Sequence, residues 1–124
     1  MNVLVIGDVV GSPGRNIMKK ALPRVFERHA IEYCIANVEN AAGGFGVTKE
    51  VCDEILDMRV DCLTSGNHVW DKREIYDHFA REPRLLRPGN YVDDLPGRGV
   101  VVVQAPDGVA ELRCTPVFMY ASLS

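Results

Sequence analysis

The 124-residue sequence is short of positive charge, histidine and long apolar runs, and each shortage excludes something. A net charge of −3 and a pI of about 5.6 leave nothing to recruit duplex nucleic acid or an anionic membrane in bulk. The apolar run at 3–6 lacks a basic flank and is far too short for a signal peptide or a membrane span. Four cysteines occur without C-x-x-C spacing and mostly within apolar runs. They are therefore expected as buried free thiols in a reducing cytoplasm, not as disulfides or zinc ligands. There is no internal repeat, low-complexity segment or linker. Gly7-Asp8-Val9-Val10-Gly11 is not a G-x-G-x-x-G, which weighs against a plain nucleotide-binding α/β domain. What is present is ordinary for one globular domain over residues 1–124: 47% hydrophobic and 25% charged residues.

The informative stretch is Leu63-Thr64-Ser65-Gly66-Asn67-His68-Val69-Trp70. A short apolar strand runs into small residues, then an Asn-His pair. Gly66 removes the side chain where the backbone must turn sharply and approach something closely. Asn67 offers a carboxamide oxygen to a hard cation, and His68 can ligate or move a proton. Alone, the pair reads as a plain turn with a surface histidine. Two other strand ends change that: Val3-Leu4-Val5-Ile6-Gly7-Asp8, and Tyr33-Cys34-Ile35-Ala36-Asn37-Val38-Glu39-Asn40 followed by a glycine-rich loop. In an open α/β sheet the carboxyl ends of the strands form the ligand crevice. Asp8, Glu39, Asn40, Asn67 and His68 would then meet, and such a donor set suits Mn, Fe, Mg or Zn.

In chain order, strands are expected at 2–7, 31–38 and 60–64, with a helix over 13–29 capped by Ser12-Pro13 and kinked or interrupted at Pro23. That helix should bury Ile17, Met18, Ala21, Leu22, Val25 and Phe26. Arg15 reads as part of a solvated face, with phosphate binding the weaker alternative. Thr48 should cap a second helix running to Met58, and Asp71 a third through Phe79. This βαβαβ order argues a parallel sheet with right-handed crossovers. A short strand is expected at 84–87, and 97–104 and 109–113 flank the hairpin turn Ala105-Pro106-Asp107-Gly108. His29 at a helix end and His78 on a helix surface are not expected as ligands. Trp70 should pack beneath its loop, and Phe45 could be a lid or a core residue.

Gly-Asp-Val-Val-Gly, Val-Glu-Asn-Ala-Ala-Gly-Gly and Ser-Gly-Asn-His-Val-Trp resemble the signature of the YmdB-type bacterial metallophosphoesterases, within the calcineurin-like superfamily. The resemblance runs from Met1 to about Tyr91. It implies the N-terminal half of a calcineurin-like α/β sandwich, a partial metallophosphoesterase domain with a C-terminal hairpin. It further implies a phosphodiesterase using two metal ions, Fe or Mn, on a small phosphodiester such as a 2′,3′-cyclic nucleotide. Glu39 would bridge the metals, Asp8 and Asn40 would complete one shell, Asn67 would serve the other, and His68 would be the general acid. The family's later segment supplies further histidine ligands, including a His-x-His pair that this sequence lacks. The chain is accordingly expected to be a truncated product or fragment, with apolar runs 100–103 and 117–119 short of partners. A homo-oligomer pairing two halves stays open, as does a non-catalytic metal- or nucleotide-binding regulatory module.

Overall fold

A computed structural model describes residues 1–105, 108–114 and 119–123. Pro106 and Asp107 of the expected turn, and Val117 and Phe118 of the last apolar run, lie outside the described residues. Alternating and continuous apolar runs set the first three strands, β1 (Val3–Asp8), β2 (Tyr33–Asn37) and β3 (Cys62–Thr64), which pair in parallel in the order β1-β2-β3. β2 is central and correspondingly apolar on both faces, with Cys34, Ile35 and Ala36 all buried.

Helices α1 (Gly11–His29), α2 (Lys49–Leu56) and α3 (Ile75–Arg81) pack on one face of this sheet. Met18, Leu22 and Phe26 of α1 join Cys52, Ile55 and Leu56 of α2, Ile75 and Phe79 of α3, and Cys34, Ala36 and Leu63 of the sheet in one core. Each large aliphatic side chain removed from water in this way contributes about 1.5–3 kcal/mol. As expected, Thr48 caps α2, its Oγ1 accepting from the Val51 N–H at 3.3 Å.

Several local expectations yield to tertiary contacts. α1 begins at Gly11, and its cap position Val10 supplies no side-chain hydrogen bond. The entry turn is instead held by the Val9 N–H donating to the Asn37 carbonyl and the Gly11 N–H to that of Asn40, both at 3.0 Å. Pro23 neither interrupts nor ends α1, because Leu22 and Phe26 on either side of it are anchored in the core. The buried stripe is also narrower than predicted: Ile17 is 68% exposed, Ala21 is exposed and Val25 half-buried. Residues Asn67–Asp71 form a 3₁₀ turn, and Glu74, not Asp71, occupies the cap position of α3. His78 is buried, not on the helix surface, because it shares the inward face of α3 with Ile75 and Phe79.

Segment 84–87 forms no full strand. Leu85 bridges Leu63 in parallel and Leu86 bridges Arg98, which extends the sheet past β3. The C-terminal strands β4 (Val100–Ala105), β5 (Gly108–Cys114) and β6 (Met119–Leu123) form a separate antiparallel sheet with β5 in the middle. The expected hairpin is therefore part of a three-stranded meander. The run 100–103, expected to lack partners, pairs with β5, and of the run 117–119 the one described residue, Met119, pairs with Cys114. Leu112 and Cys114 of this sheet pack on Ile35, Cys62 and Leu86, the face of the first sheet opposite the helices. Among the described residues, no helix is long and apolar enough to cross a membrane.

All four cysteines are free and buried. Burial pushes the thiols of Cys34 and Cys114 up to about 11, and those of Cys52 and Cys62 up to about 12. In the unfolded chain these thiols ionise at their ordinary value, so unfolding releases protons above that value. The stability they contribute is complete below about pH 8.5 and falls as pH rises toward 11–12. Denaturant titrations between pH 8 and 11 should show falling unfolding free energy, with native thiols slow toward a disulfide reagent. A flat profile would remove this account of the thiols.

Candidate functional site

The three parallel strands end side by side, and each end carries polar residues. β1 pairs in step with β2 as far as Ile6, then shifts so that Asp8 faces Asn37. Such an irregularity re-aims the side chain at the strand end. Asp8 is exposed there, and the Asn40 carboxamide donates to both of its oxygens at 3.0 Å. Asn37 closes a local turn: its Oδ1 accepts from the Glu39 N–H at 3.2 Å, and its Nδ2 donates to Glu39 Oε1 at 3.4 Å. The neighbouring strand ends are stitched by the Val38 N–H donating to the Thr64 carbonyl at 2.9 Å.

Glu39 then reaches across to the third strand end. Its Oε2 accepts from the His68 N–H at 3.4 Å, and its carboxylate lies directly over Gly66. A Cβ on Gly66 would fall well under 3.0 Å from both carboxylate oxygens, far inside contact distance. Gly66 is extended, so its role is this close approach and not a left-handed conformation. The Gly66 turn is held from beneath by the Ser65 hydroxyl donating to the Leu86 carbonyl at 2.7 Å and the Cys114 thiol donating to the Ser65 carbonyl at 3.1 Å.

His68 is half-exposed, with Nδ1 3.0 Å from Asp71 Oδ2. An Nδ1–H donated to that carboxylate leaves Nε2 as the free nitrogen. Trp70 packs on Tyr76 and Phe79 at ring-centroid distances of 4.8 and 5.0 Å, and so supports the loop by packing, as expected.

The structure thus joins Asp8 to Asn40, and Glu39 to the turn that bears His68, with Asn37 between the two pairs. Asn67 starts the 3₁₀ turn with an exposed side chain that hydrogen-bonds to none of the others among the described residues. Two contributors are not legible in sequence. Asn37 reads as an ordinary strand residue and Asp71 as a cap; its position three residues after His68 is the available signal. Arg15 is not a solvated side chain. It ties α1 to Glu54 of α2 at 2.9 Å and to the carbonyl of Ala41, where the glycine-rich loop begins. Phe45 is no core residue: its ring is 51% exposed, with Lys72 Nζ 4.4 Å from the centroid.

Among the described residues, no group of three or more His, Cys, Asp and Glu side chains gathers in a manner that could hold a metal ion. The crevice offers carboxylate and amide oxygens instead, which suit a hard cation at low ligand count. Glu39 in particular is aimed there by a cradle that any side chain at position 66 would fill.

A parallel α/β sheet with oxygen donors and an imidazole at its carboxyl edge, backed by a second sheet, is part of a metallophosphoesterase fold. The chain belongs to the YmdB-like protein family, whose model matches residues 4–121. It is 42% identical over 105 residues to a 2′,3′-cyclic-nucleotide 2′-phosphodiesterase of Bacillus subtilis (strain 168), a match covering 85% of this chain and 40% of that protein. Two solved structures are similar. A hypothetical protein from Thermus thermophilus matches with a TM-score of 0.81 and 35% identity, over 88% of this chain and 42% of its own. A phosphatase from Mycoplasma pneumoniae matches with a TM-score of 0.79 and 26% identity, over 88% of this chain and 40% of its own. The chain therefore spans about two fifths of the length of these relatives.

Proposed function

We propose that this chain is a partial metallophosphoesterase domain, contributing one side of the active site of a metal-dependent, cytoplasmic phosphodiesterase that acts on 2′,3′-cyclic nucleotides. The observation that carries this is the Glu39 carboxylate seated on bare Gly66 beside the His68 turn. Asp8, Glu39 and Asn40 would hold one metal ion, Fe or Mn, and Asn67 with Glu39 a second. When bound, two such ions supply an activated water near neutral pH and stabilise charge on the phosphoryl oxygens. The chain's own residues do the rest. Asn40 orients Asp8 through two hydrogen bonds. Asn37 holds the backbone and one carboxylate oxygen of Glu39. Asp71 fixes the His68 ring through Nδ1, so that the imidazolium form would present Nε2–H to the leaving ribose oxygen and give up that proton to it. The phosphodiesterase relative and the free, buried thiols support a small cyclic phosphodiester substrate and a reducing compartment.

A second reading, a non-catalytic metal- or nucleotide-binding module, is favoured by one observation. His78 is buried on the inward face of α3 and His29 is exposed at the far end of α1, so neither adds a ligand to His68 in the crevice. Turnover of a 2′,3′-cyclic nucleotide or bis-p-nitrophenyl phosphate with Mn²⁺ separates the two. Activity supports the enzyme; flat rates beside intact ligand binding support the module. Elemental analysis tests the metal independently. Asp8→Ala and Glu39→Ala should each lower bound Mn or Fe by more than about tenfold, since losing even a group that only orients a ligand typically costs about 10–100-fold in affinity. Equal metal content in wild type and both variants would defeat the assignment.

A further inference from the structure

The glycine-rich loop that leads out of Asn40 carries an aromatic ring that neither the core nor the proposed chemistry uses. Its backbone closes on itself, the Ala42 N–H donating to the Gly46 carbonyl at 3.0 Å and the Phe45 N–H to that of Ala42 at 3.4 Å. Gly43, Gly44 and Gly46 all have left-handed φ values, +68°, +98° and +67°. Any other residue there would be strained, so the loop's shape is specified while Phe45 is left facing out.

The two ends of the loop touch the two sides of the crevice. A Cβ on Gly11, just beyond Asp8, would lie 3.4 Å from the Gly44 nitrogen. A Cβ on Gly46 would lie 3.5 Å from the His68 carbonyl oxygen, 3.4 Å from Asp71 Cβ and 2.9 Å from Lys72 Cγ. Phe45 is the residue between Gly44 and Gly46, which make those two contacts. One face of its ring is covered by the Lys72 ammonium, 4.4 Å from the centroid, and the ring remains 51% exposed. A half-exposed phenyl contributes little to stability. Its open face and the adjacent cation match a flat heteroaromatic ring attached to an anion.

We infer that Phe45, with Lys72 behind it, is the subsite for the nucleobase, stacking the base of a nucleotide whose phosphate lies at Asp8, Glu39 and His68. The inference rests on the proposed phosphodiesterase site and adds the group that would distinguish a nucleotide from a simple phosphodiester. It requires no turnover, so it is tested by binding. Adenosine 3′-monophosphate and inorganic phosphate are titrated against wild type, Phe45→Ala and Phe45→Trp by calorimetry in Mn²⁺ buffer, with thermal melts checking that each variant folds. In wild type the nucleotide should bind more tightly than phosphate. Phe45→Ala should lose about tenfold or more of that margin, the scale of one stacked base, and Phe45→Trp should restore it. A margin equal in wild type and Phe45→Ala, or no margin in wild type, would overturn the subsite. Absent turnover with the margin intact would instead count against the proposed reaction alone.

Discussion

Gly66→Ala is expected to abolish the site while leaving the fold in place. The new methyl would sit well under 3.0 Å from the carboxylate atoms of Glu39, a distance that real Cβ contacts do not reach. Gly66 is extended, so alanine brings no backbone strain of its own. What must move is the end of a flexible side chain, and a carboxylate can swing outward at modest cost. Overpacking in a rigid core costs about 1–3 kcal/mol, and relief by Glu39 should hold this variant to the lower part of that range. The functional cost is larger, because the displaced carboxylate also gives up the His68 N–H. Metal content and turnover of Gly66→Ala should fall to the level of Glu39→Ala, with a melting transition close to wild type. Wild-type activity in Gly66→Ala would show that the cradle is incidental.

The second large effect is expected at His68. If the imidazole protonates the leaving oxygen, His68→Ala should lower kcat by about 10²–10⁴-fold with little change in KM. A structural role would produce a loss too, so the leaving group is the discriminating variable. Bis-p-nitrophenyl phosphate releases a weakly basic phenolate and should lose much less than a 2′,3′-cyclic nucleotide, whose leaving alkoxide needs the proton. Asp71→Asn should retain folding yet lower kcat on the cyclic nucleotide, since Asp71 sets the ring through Nδ1. Equal losses on both substrates in His68→Ala would remove the general-acid role.

These two residues differ in how visible they are in the sequence. The Gly66-Asn67-His68 stretch announces a close approach, because glycine after a buried strand has few other uses. What approaches cannot be read there, since Glu39 lies 27 positions earlier and meets Gly66 only once β2 and β3 pair in parallel. The alignment of Asp8 with Asn37 likewise depends on a register shift that no local pattern encodes.

Local chemistry determined the strand runs, the three polar strand ends, the Thr48 cap and the burial of the cysteines, because each depends on side-chain type and short-range periodicity. Tertiary structure decided the rest. It turned Asp71 from a cap into the partner of His68, drew His78 inside, made Arg15 a brace between α1 and α2, and gave β4 and β6 their pairing on β5. Each of those outcomes depends on groups far apart in the chain meeting at contact distance. Propensity and spacing describe only near neighbours, whereas packing selects among distant ones.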